Sequence, residues 1–145
     1  MSNEPRKGGR ERALLRVFTF EAGDHLFAVR ASDVGRILSA GQEIPEGTSV
    51  VDAVGLLSRA EGRSARTCVV LLAPSSPDEP PVAITASRAL EVGEINPEAL
   101  LPLPGYLFRG ESPFLGLVPP GGSSAGRALF LFGGPARILA AASSA

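Results

Sequence analysis

The chain has 145 residues, of which 44% are hydrophobic and 20% charged, and its formal net charge is −1. This length and composition suit one globular domain, or two small subdomains that share a core, and they argue against a disordered chain. A single Cys and a single His exclude a disulfide framework and a clustered zinc site. The 17 Gly and 13 Pro predict many turns, and therefore short strands rather than long helices.

The N-terminal segment is polar and basic. We predict a disordered basic arm over residues 1–12, and residues 1–16 carry a net charge of +3. Such an arm can contact nucleic acid or anionic lipid. It has no aromatic residue for stacking on bases, and the rest of the chain offers no basic face to support it. We therefore expect a solvated arm and no nucleic-acid partner.

The sequence predicts neither export nor membrane insertion. Met1 is followed by the polar run Ser2–Pro5 instead of an apolar signal segment. The longest purely apolar run is Cys68–Ala73, far below the roughly 20 residues that a membrane-spanning helix needs. We expect a cytoplasmic protein.

The first structured segment reads as a β-hairpin. Alternating apolar residues predict strands at Leu14–Glu21 and His25–Arg30. Ala22-Gly23-Asp24 between them suits a tight turn, because Gly accepts a positive φ and Asp can bond its own backbone.

A single helical turn is predicted to follow the hairpin. Ser32 can cap it, and Asp33 in the first turn suits the helix dipole. Val34, Ile37 and Leu38 then occur at positions i, i+3 and i+4, the spacing of a helical stripe that faces the core.

The remaining elements are predicted from similar patterns. Ser49–Asp52 matches a capping box and precedes an apolar stripe, which predicts a short helix near 51–59. Ser87 is predicted to cap another apolar turn. The further predicted elements are the strands Thr67–Leu72, Val82–Ala86, Phe114–Val118 and Ala128–Phe132, a helix start at Asn96–Leu100, and a terminal helix at Pro135–Ala142.

Two segments resemble each other at an offset of 55 residues: Phe27–Val34 aligns with Val82–Ala89. Small sheets that cannot bury both faces alone close against each other, so we predict an all-β protein with short helices, built from two small pseudo-repeated barrels. The predicted boundaries are 13–66 for the first β-subdomain, 67–134 for the second, and 135–145 for a C-terminal helix and tail. The residues expected to be buried include Ile37, Leu38, Val69, Leu71, Ile84 and Leu129.

No constellation in the sequence predicts catalysis. Gly122–Gly126 spells the G-x-S-x-G string of a hydrolase nucleophile elbow, but it lies in a predicted flexible tip at 119–126 and not between a strand and a helix. Cys68 and His25 could be imagined as nucleophile and base, yet Cys68 lies in a predicted buried strand, where a thiol is inert. Lys7 is the only lysine, which excludes a P-loop. We expect a non-enzyme with no catalytic residue, cofactor or metal.

The sequence offers instead a surplus of apolar strand positions for a small two-layer fold. Such sheets bind partners through edges and grooves, which makes a protein-interaction module the first functional class. A small barrel that encloses an apolar ligand is the alternative.

The order of these elements resembles that of the CheW-like family of chemotaxis coupling proteins. The similarity covers about residues 14–140 and rests on the succession of motifs, not on any single one. The residues that carry it are Leu15–Glu21 with Asp24–Val29, Val34–Leu38, Val50-Val51-Asp52 with Leu56-Leu57, Thr67–Leu72, Val82–Val92 with Ile95–Glu98 and Leu101-Pro102, and Gly126–Phe132 with Ile138-Leu139.

The resemblance implies two SH3-like five-stranded barrels and a non-catalytic adaptor in bacterial chemosensory or motility signalling. Members of the family join the cytoplasmic tip of a methyl-accepting chemoreceptor to a histidine kinase. They bind the receptor through the groove between the subdomains and through the turn that corresponds to Val34 and Ile37. Arg36 stands where the family often has an acidic residue, which indicates a different choice of partner. The resemblance thus makes Val34, Arg36 and Ile37 the predicted partner-binding residues.

The sequence departs from the family pattern between Ser39 and Ser49. Family members carry a hairpin there with the motif Gly-Val-Ile-Asn-Leu-Arg-Gly, whose Arg supports kinase contact, and this chain contains no Asn-Leu-Arg-Gly. The final strand also ends in Gly133-Gly134, where an Asp is usual. We therefore expect a truncated first subdomain that binds a receptor-like protein and couples to a kinase weakly or not at all.

Overall fold

The structure, a computed structural model, describes residues 14–57, 67–74, 76–103, 112–122 and 126–143. The predicted basic arm at 1–12 lies outside these residues. The described chain consists mainly of β-strands with only short helices, which confirms the predicted all-β class.

The strands and helices follow one another in a simple order. The strands are β1 Leu15–Ala22, β2 His25–Arg30, β3 Val34–Ser39, β4 Ser49–Asp52, β5 Cys68–Leu72, β6 Val82–Ala86, β7 Arg88–Ile95, β8 Phe114–Val118 and β9 Leu129–Phe132. The α-helices are α1 Ala53–Leu57 and α2 Pro135–Ser143, and 3₁₀ turns occupy Ala31–Asp33, Pro97–Ala99 and Pro120–Gly122.

Besides the turn predicted at Val34, two predicted elements are wrong in type. The turn expected after Ser87 is the eight-residue strand β7, which pairs with β1. The predicted capping box at Ser49–Asp52 is itself strand β4, and the helix after it is limited to Ala53–Leu57. In both places short apolar segments fit a helical turn and a strand equally well, and pairing with a neighbouring strand decides between them. By contrast, the predicted cap of the Pro97–Ala99 turn is confirmed, since the Asn96 side chain accepts the Glu98 N–H at 2.9 Å.

The strands form two sheets. The first has the order β7-β1-β2-β9-β8, and the second has the order β3-β5-β6-β4. Each sheet takes strands from both sides of the predicted boundary at residue 66. One parallel pair occurs in each sheet, β2 with β9 and β4 with β6, and the sequence analysis did not predict either.

The two sheets pack against each other around a cluster of phenylalanine rings. Phe27 is fully buried, and its ring centroid lies 5.8 Å from that of Phe20, 5.6 Å from that of Phe132 and 6.1 Å from that of Phe114. The second sheet meets this cluster with a row of buried apolar residues: Val51, Cys68, Val70, Leu72, Val82, Ile84 and Ala86. We call this shared hydrophobic layer the inter-sheet core.

The first sheet is also buried on its other face. Leu26, Ala28 and Leu131 point away from the inter-sheet core and form a second buried cluster with Val17, Ile95, Val118 and Leu129. β1 and β2 therefore have apolar residues on both faces, which is the pattern of central strands.

The outer face of the second sheet is covered differently. β3 and β4 are successive strands, yet they lie on opposite edges of the sheet, so the loop 40–48 has to cross one of its faces. The inner face is occupied by the first sheet. Ile44 of the loop packs on the outer face, against the buried residues Leu38, Val69 and Ala83. The loop thus supplies the apolar cover on this side.

The burial predictions are confirmed for four of the six residues. Leu38, Val69, Ile84 and Leu129 are buried. Leu71 is only half-buried, and Ile37 is 38% exposed. Both belong to the β3–β5 margin of the second sheet, where β3 is an edge strand with no described strand beyond it.

Replacing Phe27 with Ala should destabilise the protein by about 3–5 kcal/mol, because the cavity would open at the contact between both sheets. Urea unfolding followed by circular dichroism measures this loss. The control Leu115→Ala, at a strand residue that is 39% exposed, should cost less than about 1 kcal/mol. A similarly small loss for Phe27→Ala would contradict a core shared by the two sheets.

Replacing Ile44 with Ala should cost about 1–2 kcal/mol, at or below the lower end of the range for buried isoleucines, because Ile44 is only half-buried. The neighbouring change Glu43→Ala, at an exposed residue of the same loop, should remain within about 0.5 kcal/mol of the unmodified protein. Equal effects of the two substitutions would show that the loop does not cover the sheet.

Candidate partner-binding surface

The three predicted partner-binding residues lie on strand β3, and the predicted helical turn is wrong. The 3₁₀ turn is confined to Ala31–Asp33, and Val34 already has extended backbone angles. From Val34 to Ser39 the chain pairs antiparallel with β5. Pairing with β5 satisfies more backbone hydrogen bonds of this segment than one isolated helical turn could.

A β-bulge explains why the sequence resembles a helical stripe. The register with β5 shifts between Val34 and Arg36. Without the shift, residues three apart would point to opposite faces of the sheet. With it, Val34 and Ile37 stand opposite Leu72 and Val70 on the side of the inter-sheet core. The i, i+3 spacing is therefore produced by a bulged strand.

The bulge depends on the small size of Gly35. A Cβ atom at this position would lie 3.3 Å from the Leu71 carbonyl oxygen and 3.6 Å from the Ala73 nitrogen. The close approach of the β5 end leaves little room for a side chain at Gly35, which keeps the backbone of β3 in its bulged course.

The turn that leads into β3 is fixed by charge and by backbone bonds. Arg30 Nε donates to Asp33 Oδ2 at 2.9 Å, in a pair whose side chains are both partly buried. The Val34 N–H donates to the Ala31 carbonyl oxygen, and the Ala73 N–H donates to that of Asp33 at 3.0 Å. β3 is thus held at its start from both sheets.

The resulting surface combines an apolar and a cationic group. Val34 is half-buried and packs on the inter-sheet core, as does Phe18 of the first sheet, whose strand β1 contacts the Ala31–Asp33 turn. Arg36 and Ile37 are exposed. A guanidinium offers five N–H donors in a planar fork, so the strand edge presents an apolar contact on one face and a directional donor on the other. We call Val34, Arg36 and Ile37 the β3 surface.

The two residues considered as nucleophile and base come from different sheets. Cys68 lies on β5 in the second sheet, and His25 lies on β2 in the first, with its ring edge-on to those of Phe27 and Phe130. Burial raises the pKa of the Cys68 thiol, and a backbone hydrogen bond from Ala89 opposes this only in part. Residues 123–125 of the hydrolase-like string lie outside the described residues.

In the described part of the chain, no group of three or more His, Cys, Asp or Glu residues could hold a metal ion. No described helix is long and apolar enough to cross a membrane.

One charged cluster links strands of the first sheet. Glu21 on β1 accepts from Arg88 on β7 at 3.2 Å and also from Arg127, which precedes β9. The two guanidiniums meet one carboxylate at the end of β1, so the cluster keeps a formal net charge of +1. The cluster holds the strand ends together.

Comparison with known proteins identifies the fold. No family model matches the sequence, and no curated protein matches it. Among solved structures, the crystal structure of the scaffolding protein TtCheW from Thermoanaerobacter tengcongensis is similar, with a TM-score of 0.61 and 11% sequence identity. The match covers 89% of this chain and 90% of that one. The fold is CheW-like.

The CheW-like fold spans nearly the whole chain, including both sheets. At this sequence identity the similarity establishes the fold alone. The order of motifs in the sequence predicted this fold, although a helical turn was expected at the segment that forms β3.

Sequence reasoning missed the exposed edge of β4. Val50 is 53% exposed and belongs to a strand, whereas the sequence predicted a capping box at Ser49–Asp52. The available signal was the β-branched pair Val50-Val51 before Asp52, which favours a strand, together with the short connection between Ser39 and Ser49.

The raised pKa of Cys68 predicts a pH dependence of stability. The folded state holds the thiol proton more tightly than the unfolded chain, so this contribution is complete at low pH and is lost as the pH rises above about 9. The unfolding free energy of the unmodified protein should therefore decrease more steeply above this pH than that of Cys68→Ala, as measured by urea unfolding across the range. Parallel pH profiles for the two proteins would contradict the assignment.

Proposed function

We propose that this protein is a non-catalytic CheW-like adaptor in a bacterial chemosensory pathway. It binds a chemoreceptor-like protein through the β3 surface, and it couples to a histidine kinase weakly or not at all. The observation that carries the proposal is the β3 surface itself, an edge strand that exposes the apolar Ile37 and the cationic Arg36 and is fixed at its start from both sheets.

The rigidity of β3 supports a binding role. The bulge at Gly35, the Arg30–Asp33 ion pair and the bond from Ala73 determine the direction of the strand before any partner arrives. A partner that packs on Ile37 therefore does not have to order the strand, which reduces the entropic cost of association.

The side chains of the surface suit a helical partner that carries acidic groups. An amphipathic helix can place an apolar residue against Ile37 and Val34. Arg36 lies between them in the sequence and points to the opposite face of the sheet edge, so a carboxylate on the same helix can reach it only by extending around the edge. Arg36 therefore contributes to selectivity for acidic partners more than to the apolar contact.

Weak kinase coupling follows from the connection between β3 and β4. The loop 40–48 spans the outer face of the second sheet and places Ile44 on it. No described strand pairs with the outer edge of β4. A kinase that binds the family hairpin and its Arg would therefore lack both the extra strands and the Arg side chain among the described residues of this region.

Replacing Ile37 with Asp should weaken binding to a chemoreceptor cytoplasmic-tip fragment from the same organism by about tenfold or more, because a charge would replace a central apolar contact. Isothermal titration calorimetry measures the change. The matched control is Leu115→Asp, which alters a residue of nearly equal exposure, 39% against 38%, on β8 at the far edge of the first sheet.

Equal affinities for the two variants, in proteins with unchanged circular dichroism, would remove the β3 surface from the proposed function. Arg36→Ala tests the cationic part separately. It should weaken binding less than Ile37→Asp does, and its effect should diminish with added salt, because exposed charges are screened.

A further inference from the structure

Three of the four edge strands carry features that oppose pairing with another strand. β3 has a bulge beside the exposed Arg36. β7 has an irregular register and exposes acidic residues, among them Glu91. β8 is covered by Leu101, whose N–H and carbonyl both bond Leu117 at 2.8 Å.

β4 lacks these features. Its pairing with β6 is regular over all four residues, and it contains no Pro, Lys or Arg. No described strand lies beyond it, and the Val50 side chain is 53% exposed. An unprotected edge of this kind is a template for the addition of a strand.

The backbone of β4 shows which groups an added strand would meet. The Ser49 N–H donates to the Pro81 carbonyl oxygen at 2.9 Å. In a parallel pair, alternate residues direct both backbone groups to the same neighbour, so Ser49 and Val51 face β6. Val50 between them directs its N–H and its carbonyl oxygen away from the sheet. This residue is the centre of the open edge.

We propose that β4 is a self-association site, at which a second copy of this chain adds its own β4 in antiparallel orientation. A two-fold axis passes through the pair formed by Val50 and the partner's Val50. The two residues exchange both backbone hydrogen bonds, and their exposed side chains pack on the same face. The result is one continuous sheet of eight strands. This inference goes beyond the proposed function and does not depend on it.

The local sequence is self-complementary in this register. Val51 stands opposite the partner's Ser49, and Asp52 stands opposite the partner's Thr48. No like charges are therefore placed directly opposite each other, which would destabilise a strand pair. The net charge of the chain is only −1, so long-range repulsion between copies is small.

The strand pair is short, about 13 Å for four residues. Its buried area falls below that of a standard stable interface, and we expect a weak dimer that forms reversibly at micromolar or higher concentrations. A symmetric pair also closes on itself, since both copies use the same edge. Association therefore stops at the dimer.

Sedimentation equilibrium over a range from micromolar to millimolar protein tests the site. The unmodified chain should pass from 14.9 kDa to twice that mass. Val50→Lys should raise the dissociation constant at least about tenfold, because two lysines would meet at the axis. The matched control Val92→Lys changes an edge-strand valine that is 52% exposed, and it should leave the dissociation constant within about twofold of the original.

Amide hydrogen exchange gives a second, residue-level readout. Exchange at the Val50 N–H should slow as the protein concentration increases, and exchange at the Val92 N–H should not. A chain that remains monomeric at millimolar concentration, or a dimer that Val50→Lys leaves intact, would overturn the proposal. Slower exchange at the Val50 N–H only after a different protein is added would also overturn the proposal, since the β4 edge would then bind that protein and not a second copy of this chain.

Discussion

The contact between the two sheets is the constraint on which the rest of the structure depends. Phe20, Phe27, Phe114 and Phe132 come from four strands of the first sheet and form one face, which packs on the second sheet and on Ile138 of α2. Val70 and Ile84 of the second sheet are in turn buried by this contact. Neither sheet can therefore keep its apolar face from water alone, and folding of the two is coupled. Each sheet also takes strands from both halves of the chain, which couples the folding of the two sheets further.

The same contact decides which parts of the second sheet are free for partners. Its inner face is occupied by the phenylalanine cluster, and its outer face is covered by Ile44 of the loop 40–48. Only the two edges remain. β3 carries the bulge and Arg36, so its backbone is unsuited to strand pairing, and its side chains form the proposed binding surface. β4 has regular backbone and almost no charge, so it suits strand pairing. The two edges of one small sheet thus differ in the kind of partner they fit.

The sequence predicted the central strands well and three of the four edge strands wrongly, for a physical reason. The central strands β2 and β6, and the edge strand β8, have the predicted bounds because their apolar patterns agree there with burial. At Val34 and Ile37 a bulge produced the i, i+3 spacing of a helix, and this bulge brings Gly35 close to the Leu71 carbonyl of another strand, a contact that no local pattern encodes. The parallel pairs join segments that are distant in sequence, such as Val51 with Ile84. The CheW-like fold was still predicted, since motif order survives such local errors.

The most direct test of the adaptor account compares two partners of the same purified protein. Calorimetric titration against a chemoreceptor cytoplasmic-tip fragment and, separately, against the regulatory domain of the histidine kinase gives two dissociation constants. The account predicts measurable receptor binding, and kinase binding weaker by about thirtyfold or more, which corresponds to the loss of one Arg-centred hot spot of about 2 kcal/mol. Tight kinase binding without receptor binding would contradict it.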